Sequence, residues 1–324
     1  MNFPQTRLRR LRGSSHIREL FQDVYLQKES LIQPIFISDL PADTELSDSL
    51  PKSSQINIKN LSNEFTKFLR AGINKFILFG VTEKKDTSGS ISRTDDSVVV
   101  RAIKELKKNH NNIYLIADVC HCQYTDHGHC GIITDNLVNN DKTNEILAQQ
   151  SLVLANAGAD ALAPSDMMDG RVKVIRENLD LNDFKDVPIF SYSVKYASNF
   201  YGPFRSAANI KDANIDRKSY QMNTRNSFNY KNEIKQDLHE GADAVIIKPA
   251  LSYLDIISNV KREFNVPIIA YSVSGEYAMI KAAAQKNWIN EESIVLETAY
   301  SMIRSGANAI ISYYSLEISK LLNE

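Results

Sequence analysis

One junction recurs along the chain. Arg70-Ala71-Gly72-Ile73-Asn74, Asn156-Ala157-Gly158-Ala159-Asp160, Glu240-Gly241-Ala242-Asp243 and Ser305-Gly306-Ala307-Asn308 each stand directly before a run of apolar residues. Glycine in that place is a helix C-terminal stop, because it enters the left-handed region without a Cβ penalty. The apolar runs that follow, with four others of the same kind, predict strands at 31–37, 75–80, 113–119, 161–166, 188–195, 244–249, 267–273 and 309–315. Several lack polar alternation, as parallel strands covered on both faces do. The segments between them are long enough for a helix and its loops. In one, Tyr253, Ile256, Ile257, Val260 and Phe264 recur at helical spacing.

Eight strand-and-helix units predict an α/β chain of the (β/α)8, or TIM barrel, kind rather than an open doubly wound sheet, which usually has fewer strands. No glycine-rich dinucleotide fingerprint follows the first strand. The 324 residues fit one barrel over 31–324, with a long lid-like stretch at about 200–228. Residues 1–30 form a separate arm, with Arg7, Arg9, Arg10 and Arg12 in six positions and a mildly amphipathic run from Ile17 to Leu26. Such an arm can bind phosphate or act in targeting, or it can pack on a neighbouring subunit or stay solvated; the neutral remainder of the chain favours the latter pair.

With 43% hydrophobic and 24% charged residues, the composition is that of a globular protein. Lys and Arg number 38 against 39 Asp and Glu, so the strong basic field of a dedicated nucleic-acid binder is missing. No apolar run reaches the roughly 18–20 residues of a membrane helix, and the first residues do not resemble a secretory signal. A cytoplasmic protein with a small-molecule substrate, and neither nucleic acid nor membrane as partner, is the expectation.

In a barrel, chemistry gathers at the C-terminal ends of the strands. Those ends carry Asp118, Ser165 and Asp166, Lys195, Lys248, Ser272 and Ser274, and Tyr313. Strand three runs into Asp118-Val-Cys-His-Cys-Gln-Tyr-Thr-Asp-His-Gly-His-Cys-Gly131, which contains all three cysteines of the chain. Thiolate and imidazole are the ligands zinc prefers. Three protein ligands with an open fourth position would make a catalytic site. A closed Cys3His structural site using His121, His127 or His129, and plain reduced thiols, stand open beside it.

Lys248, at the end of an apolar strand, is placed to lose its charge by desolvation and attack a carbonyl, and Lys195 on the adjacent strand can supply the second cation that lowers its pKa further. Snorkelling to solvent is the ordinary alternative for either lysine alone. Arg205, Arg217 and Lys218 in the long 200–228 stretch can clamp a carboxylate or phosphate, or decorate a surface loop.

Taken with Arg9-Arg10-Leu11-Arg12, Gln33-Pro34-Ile35-Phe36, Ala163-Pro-Ser-Asp-Met-Met-Asp-Gly170, Tyr201-Gly-Pro-Phe-Arg205 and Lys248-Pro249, the cysteine loop makes the chain resemble the porphobilinogen synthase, or 5-aminolaevulinate dehydratase, family over nearly its whole length. The resemblance implies a hydro-lyase of tetrapyrrole (heme) biosynthesis that condenses two 5-aminolaevulinate molecules into porphobilinogen with loss of two waters. It implies that Lys248 forms the Schiff base and that Lys195 assists it. Cys120, Cys122 and Cys130 match the zinc-dependent branch of the family; other members carry aspartates in this loop and lack that zinc. It places Ser274 and Tyr313 on the first substrate's carboxylate and Arg205, Arg217 and Gln221 on the second's. Asp118 and Ser165 come near the amino groups, and Phe204 lies beneath the lid. Glu233 falls where a stimulatory, allosteric magnesium binds, and the arm is implied to wrap a neighbour within a homo-octamer. Two rivals remain: a Schiff-base aldolase, which leaves the cysteines without a role, and a zinc-stabilised nucleic-acid binder, which the charge balance opposes.

Overall fold

The computed structural model describes residues 2–323 apart from 42, 43, 45, 209 and 211–215. Eight parallel strands form the barrel wall: β1 Leu31–Ser38, β2 Lys75–Val81, β3 Tyr114–Val119, β4 Ala161–Pro164, β5 Phe190–Lys195, β6 Ala244–Lys248, β7 Ile268–Ser272 and β8 Ala309–Ser312. Each pairs with its sequence neighbours, and β8 returns to β1. Between β4 and β5 the ladder shrinks to a single bridge, Leu162 to Ile189. Pro164 and Pro188 flank that seam, and neither has an N–H to give to a ladder.

Around the wall lie α1 Leu61–Arg70, α2 Val98–Asn109, α3 Asn140–Asn156, α4 Arg171–Leu181, α5 Tyr230–His239, α6 Leu254–Glu263, α7 Ser274–Gln285, α8 Glu291–Arg304 and α9 Ser315–Leu321. α1 buries Leu61, Phe65 and Phe68, and α6 buries Ile256, Ile257 and Val260, the inward stripes of amphipathic helices. Among the described residues, no helix is long and apolar enough to cross a membrane.

The recurring junctions do what their glycines require. Gly72, Gly158, Gly241 and Gly306 have φ of 87°, 100°, 106° and 117°. The next residue in each case donates five positions back: Ile73 to Phe68, Ala159 to Leu154, Ala242 to Asp237 and Ala307 to Met302, at 2.9–3.2 Å. This is the Schellman pattern that satisfies orphan helix carbonyls. The Asp or Asn that follows turns the chain into the wall. Asp160, Asp243 and Asn308 accept with their side chains from the N–H of Leu115, Ile189 and Ile268 at 2.6, 2.8 and 3.0 Å. These residues organise the face of the barrel opposite the strand ends where chemistry is expected.

Three expected strands overrun an end by two residues or more. β4 stops at Pro164 and β5 begins at Phe190. β8 stops at Ser312, because the Ser312 hydroxyl accepts from Tyr314 N–H at 3.1 Å and Ser315 already opens α9. Tyr313 therefore sits just past its strand. The arm holds a 3-10 turn, Leu8–Arg12, and a short helix, Ser15–Leu20, neither of which buries a residue. The long stretch after β5 contains a helix, Gly202–Ala207, and a 3-10 turn, Arg217–Ser219; the expected lid falls partly outside the described residues.

Candidate active site

At the C-terminal ends of the strands the wall opens into a pocket whose lining includes Asp118, Ser165, Lys195, Arg205, Gln221 and Lys248, with Phe204, Arg217, Cys122 and Cys130 also on its surface. Lys195 and Lys248 are each the last residue of their strand and pair directly across the β5–β6 ladder. A register irregularity between Ser191 and Val194 precedes Lys195 and resets which face of β5 its side chain takes.

The Lys248 nitrogen lies 4.3 Å from the ring centroid of Tyr271, 5.0 Å from Phe204, 5.2 Å from Tyr192 and 5.3 Å from Tyr201. These rings exclude water from the amine. Burial, reinforced by the charge of Lys195, pushes its pKa down to about 7, against the opposing pull of Asp118. Burial also opposes the charge of Lys195, but the neighbouring cysteine cluster, Cys130 first, together with Asp118 outweighs it and raises that pKa. Lys195 donates to the Ser165 carbonyl. The pocket thus holds one amine that is half neutral at neutral pH and one ammonium.

Asp118, from the end of β3, is raised to about 6 by burial, partly offset by Lys248, the Ser165 hydroxyl and Lys195. One carboxylate oxygen accepts from Gln123 Nε2 at 3.0 Å, while Gln123 Oε1 accepts from Gly80 N–H at 2.7 Å, so β2 fixes the carboxylate of β3. The other oxygen is buried with only the Ser165 hydroxyl near it, and the buried Gln221 carbonyl oxygen has no partner among the described residues. Acceptors with this spare capacity in one pocket suit a ligand with N–H or O–H groups.

The three cysteine sulfurs are buried and lie within 4.8 Å of one another, Cys120 to Cys122 at 3.4 Å. Among the described residues they form the only group of three or more His, Cys, Asp or Glu close enough to share a metal ion. Hydrogen bonds from Cys120 and Cys122 hold the Cys130 thiol well below its ordinary pKa, while the thiols of Cys120 and Cys122 are pushed up, so without a cation the cluster carries a single thiolate. The histidines stand apart. His121 shares a 3.1 Å bond with Ser92, His127 lies 3.2 Å from the Thr87 carbonyl, and His129 pairs with the Tyr220 hydroxyl at 3.2 Å. The closed Cys3His arrangement accordingly finds no imidazole in the sulfur group.

Above the pocket, Phe204 on the Gly202–Ala207 helix packs on Phe36 and Phe79, both at 5.2 Å. Ser274, first residue of α7, accepts from Phe204 N–H at 3.0 Å and donates to the Phe200 carbonyl at 3.3 Å. It anchors the cover here and does not line the pocket. Tyr313 is also set back, its hydroxyl 3.5 Å from that of Tyr271. The far side of the cover is pinned to β5, with Met222 N–H donating to Lys195 C=O at 3.0 Å and Ala197 N–H to Met222 C=O at 2.8 Å. Arg217 donates to the Gly128 carbonyl of the cysteine loop at 2.7 Å, joining cover to cluster.

Glu233 lies in the first turn of α5, away from the pocket. Burial raises its pKa, and Asp237, Asp169 and Glu240 add negative charge around it against Arg171. Of the rings around Lys248 only Phe204 is among the residues expected from sequence; Tyr192, Tyr201 and Tyr271 and the Gln123 relay are additions of the structure. Tyr192, three residues before Lys195, was the available signal, but regular alternation puts it on the opposite face from Lys195, and only the irregularity in β5 brings both to the pocket side.

The match to known proteins is extensive. The family model for delta-aminolevulinic acid dehydratase aligns with residues 5–321. The chain belongs to the delta-aminolevulinic acid dehydratase family. The delta-aminolevulinic acid dehydratase of Bacillus subtilis is 46% identical over 318 residues, 98% of each chain, and that of Methanothermus sociabilis is 46% identical over 98% of this chain and 99% of its own. The Toxoplasma gondii delta-aminolevulinic acid dehydratase, solved with the reaction product porphobilinogen, superposes with a TM-score of 0.94 at 40% identity, covering 98% of this chain and 91% of that one. A delta-aminolevulinic acid dehydratase is a lyase, and the barrel described above is the fold of that solved member.

Proposed function

We propose that the chain condenses two molecules of 5-aminolaevulinate into porphobilinogen with loss of two waters, as a step of tetrapyrrole synthesis. The observation that carries this reading is the Lys248 amine, desolvated by four rings and opposed by Lys195, in a pocket whose other wall is a sulfur cluster. The neutral amine adds to the ketone of the first substrate; protonation of the carbinolamine oxygen expels water and leaves the iminium. Asp118, with its pKa near 6, can accept a proton, and Lys195 supplies positive charge as its ammonium or, once it has given up a proton, a second Schiff base.

Ser274 and Tyr313 would hold the first substrate's carboxylate, which asks Ser274 to exchange its bond to the Phe200 carbonyl for one to the ligand. Arg205, Arg217 and Gln221 would hold the second's, and Asp118 and Ser165 the amino groups. The donor set of Cys120, Cys122 and Cys130 fits zinc with one position open. When bound, zinc would polarise the second substrate or hold a hydroxide. The same cysteines support the zinc-dependent branch. Glu233 would hold a stimulatory magnesium through one carboxylate and waters. The arm, over residues 1–30, would wrap a neighbouring subunit of a cytoplasmic homo-octamer.

The test is porphobilinogen formation from 5-aminolaevulinate by purified protein, before and after a zinc chelator and after zinc is returned. Activity lost and then restored is expected. Chelator-resistant activity would overturn the catalytic metal alone, and no product under reducing, zinc-replete conditions would overturn the substrate.

A further inference from the structure

The Ala163-Pro-Ser-Asp-Met-Met-Asp-Gly170 segment leads into a buried charge that the reaction above does not use. Arg171, only 2% exposed, is the first residue of α4. Its Nη1 donates to the Met168 carbonyl at 3.0 Å. Its Nη2 donates to Ser191 Oγ at 3.0 Å, to the Tyr192 carbonyl at 3.3 Å and to Asp237 Oδ2 at 3.1 Å. Asp166 Oδ2 lies 3.8 Å from Nε. One side chain therefore joins the loop after β4, the strand β5 and the helix α5, across the one seam of the barrel where the backbone ladder is reduced to a single bridge.

The place where it grips β5 matters. Ser191 and Tyr192 lie at the register irregularity that decides which face Lys195 takes, and Ser165, at the other side of the seam, supplies the carbonyl that Lys195 holds. A slip of one residue there would turn Lys195 out of the pocket. A buried ion pair is weak ground for stability, since well-packed apolar replacements commonly serve as well, so a fork of guanidinium bonds at this point asks for another role. We propose that Arg171 is a positioning residue for the lysine pair: it closes the β4–β5 seam with side-chain bonds and so fixes the β5 irregularity that points Lys195 at Lys248.

This rests on the Schiff-base reading above, and the experiment separates the two. Full-length wild type, Arg171→Lys and Ser191→Ala are incubated with 5-aminolaevulinate across pH, trapped with borohydride and mapped by peptide mass, with far-ultraviolet circular dichroism as the check on folding. If Lys195 drifts away, its charge no longer depresses Lys248. The labelling midpoint of Arg171→Lys then moves up by roughly half a pH unit or more, with Ser191→Ala moving less in the same direction. kcat falls several-fold while KM holds. Wild-type midpoints in both folded variants would overturn the proposal, and if Arg171→Lys does not fold, an unchanged midpoint in Ser191→Ala overturns it alone. Wild-type label on a residue other than Lys248 would instead reject the Schiff-base reading. Amide exchange then decides for Arg171: acceleration confined to 165–168 and 190–195 supports the seam role, and a uniform or absent change overturns it.

Discussion

With its nitrogen 4.3–5.3 Å from four ring centroids, Lys248 sits where an ammonium is poorly solvated and a neutral amine is tolerated. Its folded pKa of about 7 lies below the ordinary lysine value, so the nucleophilic form is lost as pH falls through 7 and gained as it rises. Borohydride trapping of 5-aminolaevulinate on Lys248 should be half-maximal near that pH; a midpoint near 10 would show that the rings do not desolvate it. Tyr271→Ala removes the nearest ring and admits water, which should raise the midpoint by roughly one unit. At the cysteines, Cys130→Ala leaves two sulfurs and should lower bound zinc, read by atomic absorption, well below one per chain while the circular dichroism spectrum is kept.

How much of these groups the sequence revealed depends on the signal each carries. Three cysteines in eleven residues announce a cluster, and the structure brings their sulfurs together without help from the intervening histidines. Lys195, Lys248 and Asp118 were legible because strand ends are where a barrel keeps its chemistry. Tyr192 and Arg171 were not. The inward turn of Tyr192 depends on a register irregularity that no alternation predicts, and Arg171 has the sequence context of any basic residue opening an amphipathic helix.

Among the elements, the cover over the pocket depends on one close approach. A Cβ on Gly275 would lie 2.5 Å from the Phe200 carbonyl oxygen and 2.8 Å from its Cα, both backbone atoms that yield only if the cover shifts. Gly275→Ala should therefore push the Phe200–Phe204 segment outward, break the two Ser274 bonds and cost about 1–3 kcal/mol of stability. KM for 5-aminolaevulinate should rise more than kcat falls. A crystal structure of the variant with the Phe204 ring still between Phe36 and Phe79 would refute it. Strand boundaries were readable where Gly-Ala-Asp junctions mark them and blurred where proline or serine ends a strand early. Pro164 and Ser312 lie inside apolar surroundings, and only their hydrogen-bond geometry shows that the wall has finished.

For the molecule as a whole, the arm contributes little to its own barrel. Leu8, Leu20 and Phe21 are 75%, 72% and 58% exposed, an apolar surface that a lone chain in water would not favour. Removing residues 1–22 should leave the barrel's circular dichroism spectrum intact and reduce the assembly seen by sedimentation. An octamer that survives the deletion would free the arm from that role. The eightfold repeat was plain from composition and spacing, whereas assembly is a property of surfaces that one chain's sequence states only as a run of arginines among exposed leucines.

The single bridge between β4 and β5 has a mechanical meaning. A wall with hydrogen-bonded ladders at all its remaining interfaces is a clasp rather than a hoop, made of two four-strand jaws. The jaws are not equivalent: the first carries the sulfur cluster and Asp118, and the second carries both lysines. At the open side the bridge and the bond from Lys195 to the Ser165 carbonyl are joined by the fork of one guanidinium, so changing that side chain should alter the spacing between the metal-binding half and the amine-bearing half of the pocket.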